Sequence, residues 1–157
     1  MKARKKFVKL VRKVSRKGAK RRAVTAFSKF IRERDIIKYG GWCPLCQFGK
    51  THNPVQDCGH WQTAAWESTK WDEENATGIC KQCNIAMEHD SGFKYLCIKW
   101  YIQTHGQMCW DSLVLRSHQI QKRSAGDLLE IAEMYERRLL QLRVRGLEGR
   151  DAPAIQS

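Results

Sequence analysis

Cys43-Pro-Leu-Cys46, then Asp57-Cys-Gly-His60, then Asn75-Ala-Thr-Gly-Ile-Cys80-Lys-Gln-Cys83-Asn84 are the strings, all within residues 43–84, that decide how the chain is read. Each Cys-x-x-Cys sets two thiolates on a tight turn, and two such pairs supply the four ligands of a tetrahedral Zn²⁺ site. The turn residues around both pairs argue against a chance pairing or a redox couple. A four-cysteine site is closed, so this Zn²⁺ would hold the fold and perform no chemistry. Any reaction belongs to the residues set between and after the pairs, chiefly His60, Asn75 and Asn84.

The 157 residues suit one domain, or a small core with appended helices. A net charge of +13 and a pI near 9.7 point to a polyanionic partner, although ribosomal and chaperone-like proteins share such charge. Seven cysteines in a secreted protein would suggest disulfides. Here no apolar stretch of about 7–15 residues follows the basic N-terminus, so no signal peptide is read and the metal site in a reducing, cytoplasmic setting is preferred. Cys97 and Cys109 lie in apolar helical patterns and read as small core residues. The chain contains no run of about 18 apolar residues, which argues against a membrane span.

Outward from the cysteines, the chain divides into three parts. Residues 1–23 hold twelve Lys or Arg and no acid, and read as a basic arm that condenses on phosphates. Its cations Lys5, Lys6, Lys9, Arg12, Lys13, Arg16, Lys17, Lys20, Arg21 and Arg22 are the candidate DNA-binding residues. Residues 24–145 read as a single domain with its metal core at about 42–92, and 146–157 as a flexible tail. Within the domain, helical patterns run from Val24 to Lys38, over 93–104 with Leu96, Trp100 and Tyr101 inward, and from Met108 to Ser117. Asp127 is a plausible cap for a last long helix with Leu128, Ile131, Tyr135, Leu139 and Leu142 on one stripe. Leu129, Ala132, Leu140 and Val144 form a second apolar edge that suits either core packing or a dimer seam.

A histidine titrating near neutrality can take a proton from water as that water attacks phosphorus. His60 is placed for this, just before a possible strand over residues 61–65. Asn84 and Glu88 are one helical turn apart and could face a hard divalent cation together with Asp57. His89 and Asp90 are alternatives to Glu88. Trp66 and Trp71 could stack on unpaired bases, while Asp72, Glu73 and Glu74 would repel phosphate. Lys50, Lys70, Lys81 and Lys94 surround the candidate site.

Taken together, the spacing resembles the HNH, or ββα-metal, nuclease family: a cysteine knuckle, a strand with an acid and His60, then Asn75, then a second knuckle followed by Asn84. The resemblance implies an α+β, mostly helical fold with a small zinc-stabilised ββα-metal core and flanking N- and C-terminal helices. It implies His60 as general base, Asn75 as the residue pinning its loop, and Asn84 as a ligand of catalytic Mg²⁺ or Mn²⁺. More narrowly, Ala26-Phe-Ser-Lys-Phe-Ile-Arg-Glu-Arg-Asp35, Asp57-Cys-Gly-His-Trp-Gln-Thr63 and residues 75–84 look like the NinG/Rap recombination proteins of lambdoid phages. That likeness implies a structure-specific endonuclease acting on branched DNA such as Holliday junctions, in the host cytoplasm; the two opposed cuts of a four-way junction would suit a homodimer. Gly59 stands where the HNH strand usually carries its acid, and Asp57 could reach the metal across a bulge. A non-catalytic zinc-ribbon protein assisting recombination shares the zinc, the charge and the helices.

Overall fold

The computed structural model describes residues 14–148. Helix α1 (Arg16–Lys38) starts where Ser15 Oγ accepts a hydrogen bond from the Gly18 N–H at 3.1 Å. It stops at Gly40 and Gly41, whose φ of 63° and 90° favour glycine. Its inner face carries Ala19, Ala23, Ala26, Phe27, Phe30, Ile31 and Asp35, a spacing of three and four. The helix therefore reaches back into the segment read as an arm. Ala19 and Ala23 are fully buried, so residues 16–23 are part of the fold. Lys5, Lys6, Lys9, Arg12 and Lys13 lie outside the described residues, as does the tail beyond Glu148.

A one-turn helix α2 (Cys46–Gly49) follows the first cysteine pair. Strand β1 (Asp57–His60) pairs antiparallel with β2 (Ala76–Ile79), with Asp57 opposite Ile79 and His60 opposite Ala76. The register is continuous across these four residues, without the bulge that would have re-aimed Asp57. His60 ends the strand, and 61–65 turns away instead of forming one. Helices α3 (Lys81–His89), α4 (Ser91–His105) and α5 (Gln107–Ser117) then follow closely. Asp90 separates the first two, its Oδ1 capping α4 by accepting from the Phe93 N–H at 2.9 Å. On α4 the inward residues are Phe93, Cys97 and Tyr101, whereas Leu96 is 41% exposed.

Helix α6 (Ala125–Glu148) opens on a reciprocal cap. Asp127 N–H donates to Ser124 Oγ at 3.2 Å and Ser124 N–H to Asp127 Oδ2 at 2.7 Å, so Ser124 is the cap and Asp127 its partner. The helix continues past 146, through residues read as tail. It lies along α1 in the same direction, as Arg16 with Arg123, Arg22 with Glu136 and Glu33 with Arg143 show in order. Between them lies a first core of α1 alanines, Phe27, Phe30, Leu128, Leu129, Ala132, Tyr135, Leu139 and Trp71. A second core gathers the four cysteines with Leu45, Trp61, Ile79, Met87, Phe93, Cys97, Tyr101 and Leu113. The strand pair stands between the two, giving Ala76 to one and Ile79 to the other.

Asp35 fastens α1 to β2. It is 1% exposed and accepts from Arg34 Nε (2.7 Å), Arg34 Nη2 (2.9 Å), Thr77 Oγ1 (3.2 Å) and the Gly78 N–H (2.6 Å). Gly78 is required there, because a Cβ would stand 2.9 Å from both Asp35 Cβ and Val55 Cγ1. Replacing Asp35 by alanine leaves the buried Gly78 N–H without its acceptor and takes two bonds from Arg34, which keeps the Ala76 carbonyl and Glu73. We expect a loss of about 2–4 kcal/mol, read as a lower denaturation midpoint in urea.

Candidate metal centre and histidine cleft

Cys80 caps α3 and its Sγ accepts from the Cys83 N–H at 3.4 Å, so the second knuckle is built into a helix start. The first is held by Cys43 N–H donating to Asn53 O at 2.9 Å and Thr51 N–H to Cys46 O at 3.2 Å. These turns bring all four Sγ atoms within 4.8 Å of one another, with Cys46 Sγ 3.7 Å from Cys80 Sγ and 3.9 Å from Cys83 Sγ. A tetrahedral ion with Zn–S bonds of about 2.3 Å needs sulfur separations of about 3.8 Å. The four cysteines are buried and none is in a disulfide. Burial pushes the Cys43 thiol up to about 11 and Cys83 still higher. Burial acts the same way on Cys46, but hydrogen bonds from Thr51 and the Asn53 backbone bring it down to about 7. Four such thiols become thiolates together only with a cation among them. The site fits a structural metal such as zinc.

His60 lies at the end of β1, beneath α1, with its ring 6.0 Å from Phe27. Its Nε2 is 3.1 Å from the Lys70 carbonyl oxygen. A carbonyl only accepts, so Nε2 carries the proton and Nδ1 holds the lone pair of the neutral ring. Burial lowers the pKa of this imidazole below 6.5; the Lys70 carbonyl opposes the shift and the Lys70 charge adds to it. The loop that supplies Lys70 is pinned by Asn75, which is fully buried. Asn75 Oδ1 accepts from the Gln62 N–H at 2.6 Å, and its Nδ2 donates to Gln62 O and Thr69 O, each at 3.1 Å. Asn75→Ala removes all three bonds and leaves buried partners unpaired. We expect a loss of about 2–4 kcal/mol and a higher protease sensitivity in 61–71.

His60, Asn84 and Glu88 line one cleft of about 330 Å³ with Thr63, Met87 and Lys94. Asp57 stands behind Asn84, whose Nδ2 donates to Asp57 Oδ2 at 3.4 Å. Glu88 lines the cleft from the last turn of α3, whereas His89 is not among its lining residues and stands with its Nε2 3.9 Å from Glu88 Oε2. Among the described residues the four cysteines are the one group of three or more His, Cys, Asp or Glu close enough to hold an ion, so Asp57, His60, Glu88 and His89 form no such cage. A Cβ at Gly59 would meet the tip of the buried Ile79 side chain and stand 3.3 Å from Asn84 Oδ1, so an acid there requires Ile79 to shift.

The surrounding charges differ from their sequence reading. Arg16 and Lys20 pair with Glu67 at 3.9 and 2.6 Å, and Arg22 with Glu136 at 2.6 Å, so these cations brace α1 while Lys17 and Arg21 stay exposed. Asp72, Glu73 and Glu74 are neutralised by Arg116, Arg34 and Arg138, which removes the expected repulsion. Trp71 is buried, gives its Nε1–H to Glu67 at 3.3 Å and accepts from Tyr135 on its carbonyl, so it cannot stack on a base. Trp66 remains 36% exposed beside His118. Asp35 was missed as a structural acid in the sequence; its one signal is an acid at the inward spacing of α1. No described helix is long and apolar enough to cross a membrane.

Fold and site together define a mostly helical α+β protein built on two cores, one of them gathered around four cysteines placed to hold a metal ion. The chain belongs to the NinG family, since the model for the bacteriophage lambda NinG protein matches residues 1–144. That membership ties it to a phage, recombination-related group. No curated protein and no solved structure matches the chain.

Proposed function

We propose that this protein is a divalent-metal-dependent endonuclease that hydrolyses phosphodiester bonds in branched DNA. The observation carrying the reading is His60: its Nε2–H is held by a backbone carbonyl, its ring is neutral near pH 7, and it shares a cleft with Asn84 and Glu88. Such an imidazole is oriented to accept a proton from an attacking water. Asn75 positions it by fixing the loop that provides Lys70. Asn84 with Asp57, and Glu88 from the cleft rim, are the oxygen donors available to Mg²⁺ or Mn²⁺. These are donor types that Mg²⁺ takes, commonly one or two carboxylates with water and phosphate completing the shell, although Asp57 meets the cleft only through Asn84. When bound, the ion would offset charge on the scissile phosphate and the leaving oxygen. Lys94 lines the same cleft and suits a backbone phosphate. A two-fold dimer would deliver the two opposed cuts that a four-way junction needs.

The rival reading is a non-catalytic zinc-containing accessory protein. One observation favours it: Asp57 is the carboxylate that reaches Asn84, and the position next to His60 is a glycine that supplies none. A cleavage panel of linear, flap and four-way DNA with Mg²⁺ or Mn²⁺, each with a metal-free control, separates the two. Nicking confined to branched substrates is expected; junction binding without cleavage under every divalent ion establishes the accessory role.

A further inference from the structure

We propose that an aromatic cleft beside the first cysteine pair, on the knuckle face, seats an unpaired base of single-stranded DNA. The cleft has a volume of about 430 Å³ and four rings in its wall: Tyr39, Trp42, His52 and Trp100. Trp42 is 46% exposed, so part of its ring face is open to solvent at the cleft. It stacks on His52 with centroids 3.9 Å apart and planes 30° from parallel. On the other side Tyr39 and Trp100 approach to 6.4 Å. This wall is rigid for a local reason. Trp42 bridges to Pro54, and Cys43 N–H donates to Asn53 O, so the knuckle turn that holds the metal ligands also fixes the ring.

Charge selects the occupant. No carboxylate lines this cleft, whereas the His60 cleft carries Glu88 and the groove between α1 and α6 carries Glu136. Lys38 lies with its Nζ 5.0 Å from the Tyr39 ring centroid, and the exposed Lys50 precedes Thr51 of the cleft wall. Preordered aromatic faces with flanking cations and no acid match a base carrying its phosphates better than they match an acidic or neutral peptide. The inference rests on DNA being the partner, not on cleavage. A strand opened at a branch point would supply the unpaired base.

The test uses the full-length, zinc-loaded protein without Mg²⁺, and fluorescence anisotropy with labelled dT15, an abasic analogue of the same length, and a hairpin duplex with equal phosphates. Stacking of one base predicts that dT15 binds roughly 5- to 150-fold more tightly than the abasic strand. Trp42→Ala should erase that difference and leave duplex affinity unchanged, while Trp42→Phe keeps most of it. Zinc content of each variant is measured alongside, and the abasic comparison needs no variant at all. Equal binding of dT15 and the abasic strand by the wild type overturns the proposal. So does a Trp42→Ala loss that is as large on duplex as on dT15, or a cleft that takes proline-rich peptide in preference to dT15. A protein that stacks the base yet never cuts DNA would retain this site and lose only the nuclease reading.

Discussion

His60→Ala is expected to lower the rate of branched-DNA cleavage by about 10²- to 10⁴-fold, the usual contribution of a positioned general base. Zinc content and junction affinity should stay near those of the wild type, because His60 is no part of the cysteine centre and its ring adds little contact to duplex. His60→Gln can occupy the same space and donate to Lys70, but it takes no proton at neutral pH, so it should be as inactive as alanine. The pH dependence has a defined sign. Burial holds the folded imidazole below 6.5, so the neutral, proton-accepting ring prevails at pH 7 and activity should fall only as acid protonates it. The same shift enters stability. Between the lower folded value and the unfolded value the unfolded chain binds more protons, so stability rises with pH there. The contribution is complete above the unfolded value and disappears as pH falls through the folded one. Stability profiles of wild type and His60→Ala should therefore diverge in mild acid and run parallel above neutrality. Wild-type rates from His60→Ala would sink the assignment of this residue, whatever the ion does.

Removing the structural metal has the larger effect on the fold. Structural Zn²⁺ contributes an apparent binding free energy of about 10–16 kcal/mol in small peptides. A whole domain has a net stability of only about 5–15 kcal/mol. Stripping the ion leaves four buried thiols in the centre of the second core, with nothing to draw Cys46 toward Cys80 and Cys83. A strong chelator under reducing conditions should release one zinc per chain. Amide protection in α3 and α4 should then collapse. Helices α1 and α6 belong to the other core, joined by Phe27, Phe30, Leu128 and Tyr135, and should keep part of theirs. Cys83→Ser should reproduce this pattern without chelator. A preparation that contains no metal, or one whose exchange pattern ignores the chelator, would show that the four sulfurs do not work as a metal site.

Much of the metal centre could be read directly from residue order. Cys-x-x-Cys is a local device: two sulfurs on one turn are near each other whatever the rest of the chain does, so Cys43 with Cys46 and Cys80 with Cys83 were legible as pairs. The same locality exposed α1, α5 and α6 through their repeats of three and four. The pinning role of Asn75 was implied by the family resemblance alone, since its partners Gln62 and Thr69 lie 13 and 6 residues away. Locality failed where burial depends on a distant partner. Arg16 to Arg22 look like a solvated cationic arm until Glu67 and Glu136 are brought against them, and the alanines between them count as inward only once α6 lies alongside. Trp71 reads as a stacking ring until Tyr135, 64 residues away, closes over its carbonyl.

The sequence by itself determined the two cysteine pairs, the helix repeats, and the order of His60 between the knuckles with Asn84 directly after the second. Only the tertiary structure decided that these two line the same cleft, and that Asp57 stands behind Asn84 instead of beside His60. The reason is geometric. Alternation along β1 sends Asp57 and His60 to opposite faces, and a strand without a bulge cannot bring them together. The cleft forms because the strand pair is clamped between two cores, and that clamp is set by contacts such as Asp35 with Gly78 that no spacing rule encodes.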